Sequence, residues 1–356
     1  MEVRAPRRER IPIAPGAGPL QTTGHADLVC RVLRVDRALW ERVLEDYLRN
    51  LTGTTRAERL DAARRAWSAH SPHTAPALPS EVSRCPVCGG AARPEIYRRS
   101  GEIYGLCAQC GHGALLTRAA PAKIYCEAEY YSERKHDGVG YDAYRWEMEY
   151  REAKADRLLA WMENVTGAPA GRSLLEVGSG FGYTRAAAER RGWRTSGVDL
   201  NPHAAAAARD LYGFETRVAT LADALSSGLV PRGQSQVVLY QFVLEHIHDP
   251  IGELTHAAEA VEAHGFLVLL VPSMQALERV VFGASYRSLR PDHLHLFSWA
   301  SLDCCLSAAC WRRVQSISEC SVHLLADFVS REELEEVYLS GDGPDLWTVA
   351  QIVEDA

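Results

Sequence analysis

The sequence predicts an α/β fold: a doubly wound parallel sheet in the C-terminal half, preceded by a helical module and a small cysteine ribbon. Three observations carry this. From Ser173 onward, short apolar runs alternate with helix-forming stretches, giving four strand-then-helix units and a further strand. The first apolar run, Leu174–Val177, leads straight into a glycine turn, Gly178-Ser-Gly-Phe-Gly182. Ahead of this region stand two Cys-x-x-Cys pairs, Cys85/Cys88 and Cys107/Cys110.

Bulk properties narrow the class. A chain of 356 residues is long enough for two domains or more. Apolar residues make up 47% and charged residues 24%, ordinary for a globular protein. The net charge of −7 argues against a broad nucleic-acid surface. The most apolar run, Phe266–Val271, is far too short to span a bilayer, and Met1–Arg10 is Arg-rich rather than apolar. We therefore expect a cytoplasmic protein with no membrane partner. In that compartment paired cysteines point to metal rather than to disulfides.

Residues 1–23 read as an irregular lead-in. Residues 24–80 read as a helical module and linker. Leu39, Val43 and Tyr47 share one stripe there, and Thr55-Arg-Ala-Glu58 has the form of a capping box. Two readings stay open for the module. It docks a carrier, partner or substrate, or it packs on the body or on a second subunit of a homodimer.

Residues 81–118 carry the cysteines in the pattern C-x2-C-x18-C-x2-C. Each pair can present two thiolates to one tetrahedral ion, and the separation falls in the zinc-ribbon range. Cys85, Cys88, Cys107 and Cys110 are the predicted ligands of one Zn²⁺. Four thiolates close the shell, so the metal is expected to be structural, and His112 is left out of it. Residues 119–165 form an aromatic linker and a helix. Tyr131 and Tyr141 are the tyrosines there placed to touch a ligand, with packing of the ribbon on the body as the alternative.

The last segment, 166–356, holds the sheet. Glu176 lies inside the first strand. The glycines follow E-x-G-x-G-x-G, not the G-x-G-x-x-G of dinucleotide sites. Glycine suits a turn where backbone must approach a ligand closely. The next strand ends at Asp199, about 20 residues on, where an acid can hold a ribose diol by two charge-assisted hydrogen bonds. Asn201-Pro202 and Asp249-Pro250 each read as N-cap and first helical residue, and the helix after Pro250 is expected to run to Gly265. Phe214–Val218, Gln236–Gln241 and Gly265–Val271 are the remaining parallel strands. Trp311–Ser318 and Leu346–Val353 close the sheet, with a helix at Arg331–Leu339 between them. Met274–Phe297 reads as a long loop, and Ser298 as the cap of a short helix. Ligand in such a sheet sits at the carboxyl ends of the strands, which gathers Gly178, Asp199 and Gln241–His246 around one crevice.

These motifs resemble those of class I S-adenosylmethionine (SAM) methyltransferases that carry a zinc-ribbon segment. The resemblance covers about residues 85–320. It rests on the glycine turn, on Leu244-Glu-His-Ile-His-Asp-Pro250 after the fourth strand, and on His293-Leu-His-Leu-Phe-Ser298. Cys310-Trp311 departs from the family's Gly-Phe at that point. The resemblance implies a Rossmann-like SAM methyltransferase sheet with SAM as cofactor. It implies cofactor contacts from Glu176, Gly178, Ser179, Gly180, Gly182, Asp199, Leu200 and Gln241, with Thr220 and Leu221 beside the adenine. It also implies a small-molecule substrate, a natural-product intermediate or an activated sugar. Methyl transfer needs alignment and a base for a protonated nucleophile. His246 is the first candidate, with Glu245 to orient it or to bind substrate. His293, His295 and Tyr131 follow. An RNA methyltransferase that grips its substrate with the ribbon, and a non-catalytic SAM- or partner-binding protein, are the competing readings.

Overall fold

The computed structural model describes residues 83–97, 102–117, 122–131, 144, 148–167, 172–276, 278–279, 286–319 and 343–353. The helical module at 24–80, Tyr141 and the helix expected at Arg331–Leu339 lie outside the described residues.

The ribbon comes first. β1 (Ser83–Arg84), β2 (Ala91–Tyr97), β3 (Ile103–Cys107) and β4 (Gly113–Leu115) pair antiparallel in chain order. Two short 3₁₀ turns, Ala122–Cys126 and Ala128–Tyr131, follow. α1 (Met148–Thr166) then leads into the large sheet.

β5 (Ser173–Val177), β6 (Arg194–Asp199), β7 (Thr216–Val218), β8 (Ser235–Gln241) and β9 (Val261–Pro272) are parallel. Between them run α2 (Tyr183–Arg190), α3 (Pro202–Tyr212), α4 (Leu221–Ser226) and α5 (Pro250–Ala260). β11 (Trp311–Glu319) and β12 (Asp345–Ile352) close one edge antiparallel, giving the order β11-β12-β9-β8-β5-β6-β7. The strand order reverses at β5, with β6 and β7 on one side and β8 and β9 on the other, so the carboxyl ends of β5, β6 and β8 open onto one crevice.

Alternate residues of the strands enter two cores. Leu175, Val177, Val238, Tyr240, Leu267 and Leu269 pack on one face, and Leu174, Val237, Leu239, Val268 and Leu270 on the other. Burial on both faces explains why these strands read as continuous apolar runs. Several caps expected from sequence form. Asn201 Oδ1 accepts from the His203 and Ala204 amides, and Asp249 Oδ1 from the Gly252 amide.

Two expectations are corrected. The helix after Pro250 ends at Ala260, not Gly265. The Gly233 and Gln234 amides donate to the Glu259 and Ala260 carbonyls, and Val261 pairs with Ser235, so β8 draws the chain into β9 early. Gly265 is needed inside that strand, because a Cβ there would lie 2.9 Å from the Gln236 carbonyl oxygen. Nor is Met274–Phe297 only a loop. Within it β10 (His295–Leu296) pairs with β4 and becomes the fifth strand of the ribbon sheet. A strand of two residues gives no periodicity to read. The ribbon is thereby fused to the body, and Cys85, Val87, Cys107 and Cys110 share a core with β8 and β9. α6 (Trp299–Ala308) follows, started by a capping box between Ser298 and Ser301.

Candidate functional site

The first end of the crevice is built from consecutive sequence. After β5 the Gly178 and Ser179 amides both donate to the Val198 carbonyl, at 2.9 and 3.1 Å, which ties the turn to β6. Gly178 and Gly180 have φ of +70° and +53°. A Cβ on Gly180 would lie 2.6 Å from the Tyr144 hydroxyl, and one on Gly178 2.3 Å from a Val243 methyl. The turn is therefore limited to glycine by both backbone and space.

Asp199 closes this end. Its Oδ2 accepts from the Gly180 amide and its Oδ1 from the Asn201 amide, both at 2.7 Å. Burial raises its pKa and the two amides oppose that rise. A carboxylate has about four acceptor positions, so two remain for a diol. Leu200 beside it is exposed, offering an apolar surface at the crevice lip. Burial pushes the Glu176 carboxyl up to about 8, against the pull of Arg185 and Thr184. Glu176 Oε2 and Ser179 Oγ are buried and lack a hydrogen-bond partner among the described residues. Glycines without side chains, an acid with spare acceptor sites and orphaned polar atoms fit the methionine and ribose parts of SAM.

The other predicted cofactor residues are placed as follows. Gln241 Oε1 accepts from the Thr184 hydroxyl at 2.9 Å. Thr220 caps α4, accepting from the Asp223 amide at 3.0 Å. Leu221 is in the core, so these two side chains are taken up by the fold. Gly182, at φ +83°, starts α2. Tyr131 lies over the turn, its ring 4.7 Å from Tyr144 and 5.2 Å from Phe181. It joins the cofactor end, not the histidines.

The second end is assembled from three distant segments. A single 3₁₀ turn, Leu244–His246, follows β8. The loop before β10 folds back on it, the Leu294 amide donating to the Glu245 carbonyl at 2.8 Å. His246 Nδ1 donates to the Asp292 carbonyl at 2.6 Å, and the His293 ring stands 4.9 Å away. Tyr125 arrives from the aromatic linker, donating to the same Asp292 carbonyl at 3.1 Å.

The electrostatics here favour uncharged histidines. Burial lowers the pKa of His246, with the Asp292 charge opposing. Burial also takes His293 well below its ordinary range. Glu245 is fully buried, and desolvation drives its carboxyl well above the carboxylate range. Burial pushes Asp292 up too, but Arg290, with His293 and His246, overrules it and holds the carboxyl at about 2. The Arg290 guanidinium grips Asp292 through two contacts of 2.9 Å.

His295 is not among these groups, which corrects its assignment as a base candidate. Its Nε2 donates to the Ile247 carbonyl at 2.9 Å, and its Nδ1 meets His112 Nε2 at 3.0 Å. Both nitrogens are spent, and the residue bridges ribbon and body. Tyr125, Tyr144 and Asp292 are the residues that sequence reasoning did not single out. Their only signal was the density of tyrosines in 119–150 and the Pro-Asp-His of the loop.

The four cysteines converge. Their sulfurs lie within 4.8 Å of one another, with Cys85–Cys110 at 3.7 Å and Cys88–Cys107 at 3.5 Å. A tetrahedron of ~2.3 Å Zn–S bonds has edges of about 3.8 Å. The donor set and spacing are compatible with one Zn²⁺. His112 stays outside it, hydrogen-bonded to His295 and Ser301.

A parallel sheet whose first strand ends in a glycine turn, and whose second ends in a buried acid tied to that turn, is compatible with a SAM-dependent class of α/β protein. Comparison with known sequences agrees: residues 144–315 match the family model described as a methyltransferase domain. These residues, somewhat under half of the chain, carry a methyltransferase domain similar to that of SAM-dependent methyltransferases. It is 29% identical over 133 residues to a ubiquinone biosynthesis O-methyltransferase of Cupriavidus pinatubonensis, covering 36% of this chain. The match spans about half, 53%, of that relative's length. Two solved structures are similar in fold. One is a SAM-dependent methyltransferase from Archaeoglobus fulgidus, 19% identical with a TM-score of 0.43, covering 58% of this chain and 97% of that one. The other is the Burkholderia thailandensis 1,6-didemethyltoxoflavin-N1-methyltransferase with bound S-adenosylhomocysteine. It is 19% identical with a TM-score of 0.39, covering 59% of this chain and 81% of that one.

Proposed function

We propose that the protein transfers the methyl group of SAM to a small-molecule substrate, a natural-product intermediate or an activated sugar, with His246 as general base. The observation that carries the reading is the apposition of the glycine-turn crevice to a neutral histidine. His246 Nδ1 donates to a backbone carbonyl, so its proton is fixed there and Nε2 keeps the lone pair. Nε2 has no hydrogen-bond partner among the described residues.

SAM supplies an electrophilic methyl group when bound. The chain's part is to hold and align. Asp199 and the Gly178–Gly182 turn hold the ribose and methionine ends, and Tyr131 and Tyr144 cover the turn against water. His246 then takes the proton from the substrate nucleophile, with Asp292 and Tyr125 holding the loop and ring in position. In the ribbon, Cys85, Cys88, Cys107 and Cys110 would hold a structural Zn²⁺, whose closed shell keeps β1–β4 folded and docked on the body.

The test is single-turnover methyl transfer from labelled SAM to a panel of nucleotide-linked sugars and hydroxylated small molecules. Label transfer to one of them, lost in His246→Ala while SAM still binds, is the expected result. Transfer to RNA instead would overturn the substrate class, and wild-type turnover in His246→Ala would remove the base.

A further inference from the structure

Beside the base lies a group of atoms that the proposed reaction leaves unused. Glu245 is completely buried, and neither carboxylate oxygen has a hydrogen-bond partner among the described residues. Its Oε1 is 4.0 Å from His246 Nε2. One ligand atom each from Glu245, His246 and His293 lie within 4.8 Å of one another.

The tautomers of both rings are fixed by their neighbours. His246 Nδ1 meets the Asp292 carbonyl at 2.6 Å, and His293 Nδ1 meets the Ser288 carbonyl at 2.8 Å. A carbonyl only accepts, so both Nδ1 atoms carry the proton and both Nε2 atoms carry a lone pair. Donating the other ring N–H to a carbonyl or carboxylate is how metal-bound histidines are oriented. Two such imidazoles and one unpartnered carboxylate make a two-histidine, one-carboxylate donor set, which leaves coordination positions open. Donors sharing one ion at ~2.1 Å stand about 3 to 4 Å apart. The observed limit of 4.8 Å is close to that range.

We propose that Glu245, His246 and His293 form a binding site for a first-row divalent cation, with open positions for a hydroxyl oxygen of the substrate. The proposal rests on the location of the substrate site given above and deepens it. With the ion in place, the His246 lone pair is engaged. A hydroxyl bound to the ion is acidified and loses its proton to water, so the ion takes over the work assigned to the free base. The substrate class narrows accordingly to small molecules whose methyl acceptor is a hydroxyl.

The Cys₄ cluster has to be kept apart in the experiment. Full-length protein carrying one zinc per chain is titrated with Mn²⁺, an ion poorly matched to thiolates. Bound Mn²⁺ is followed by electron paramagnetic resonance and native mass spectrometry. One Mn²⁺ per wild-type chain is expected, weakened at least tenfold in Glu245→Gln and in His293→Ala. The half-buried His256, away from the site, serves as control, and His256→Ala should bind as wild type. Retained zinc and SAM binding in each variant shows that it has folded. No Mn²⁺ on wild type at millimolar concentration, or equal binding by Glu245→Gln and His293→Ala, overturns the proposal. A chain that binds Mn²⁺ through these residues yet never transfers methyl would keep this inference and sink the methyl-transfer reading.

Discussion

The two ends of the crevice are built in opposite ways. The glycine-turn end is built mainly from one continuous stretch, Glu176–Asn201, roofed by Tyr131 and Tyr144, and most of its contacts are backbone amides and glycine conformations. The histidine end takes Tyr125 from the linker, Glu245 and His246 from a turn, and Arg290, Asp292 and His293 from a loop more than forty residues further on. A site made of local backbone can be carried from protein to protein by a short motif. A site made of converging loops can be altered at one loop without touching the others, which suits substrate choice.

That contrast can be broken by experiment. The largest effect is expected from His246→Ala. Turnover should fall by about 10²- to 10⁴-fold, while the SAM dissociation constant in calorimetry stays within about twofold of wild type. A parallel loss of SAM affinity would show that the two ends are one unit.

Asp292→Asn comes next. It removes the charge on the buried carboxyl that the Arg290 guanidinium grips, and weakening such a buried pair costs about 3 kcal/mol, read as a lower urea midpoint. The wild-type pair is also pH-dependent with a defined sign. The Asp292 carboxyl is held at about 2, below its unfolded value. Its contribution is therefore complete above about pH 4 and disappears as pH falls toward 2. A midpoint insensitive to acid in wild type and variant alike would remove this pair from the account.

At the other end, Asp199→Ala should weaken SAM binding by about 100-fold, the loss of two charge-assisted hydrogen bonds after discounting. The fold should persist by circular dichroism. Gly180→Ala should cost about 1–2 kcal/mol in stability or SAM affinity, because φ of +53° is poor for any Cβ, and the new methyl meets Tyr144. Pairing it with Tyr144→Ala should recover part of the loss, a coupling that backbone strain alone would not show.

The smallest effect sharpens the role of burial. Desolvation depresses the His246 pKa, Asp292 opposes it and Arg290 adds to the depression, with His293 and Glu245 facing the same ring. The neutral form that accepts a proton therefore prevails above an already lowered pKa. Metal-free kcat should be flat from pH 7 upward and fall only on the acid side of about 6.5. An acid limb centred above 7 would mean that another group titrates.

The sequence determined what depends on neighbours along the chain. Strand runs at Leu174–Val177 and Gln236–Gln241, glycines forced by positive φ, the caps at Asn201, Asp249 and Ser298, and the Cys-x-x-Cys knuckles are local features. So is the acid about twenty residues past the turn, because one strand–helix–strand unit fixes that distance. Only the tertiary structure decided the partners of side chains far apart in sequence. It joined β10 to the ribbon, spent both nitrogens of His295 on a bridge to His112, set Tyr131 over the glycine turn, and brought Tyr125 and Asp292 to His246. Those choices follow from which surfaces must be buried together and which buried polar atoms must find partners. No spacing along the chain encodes either.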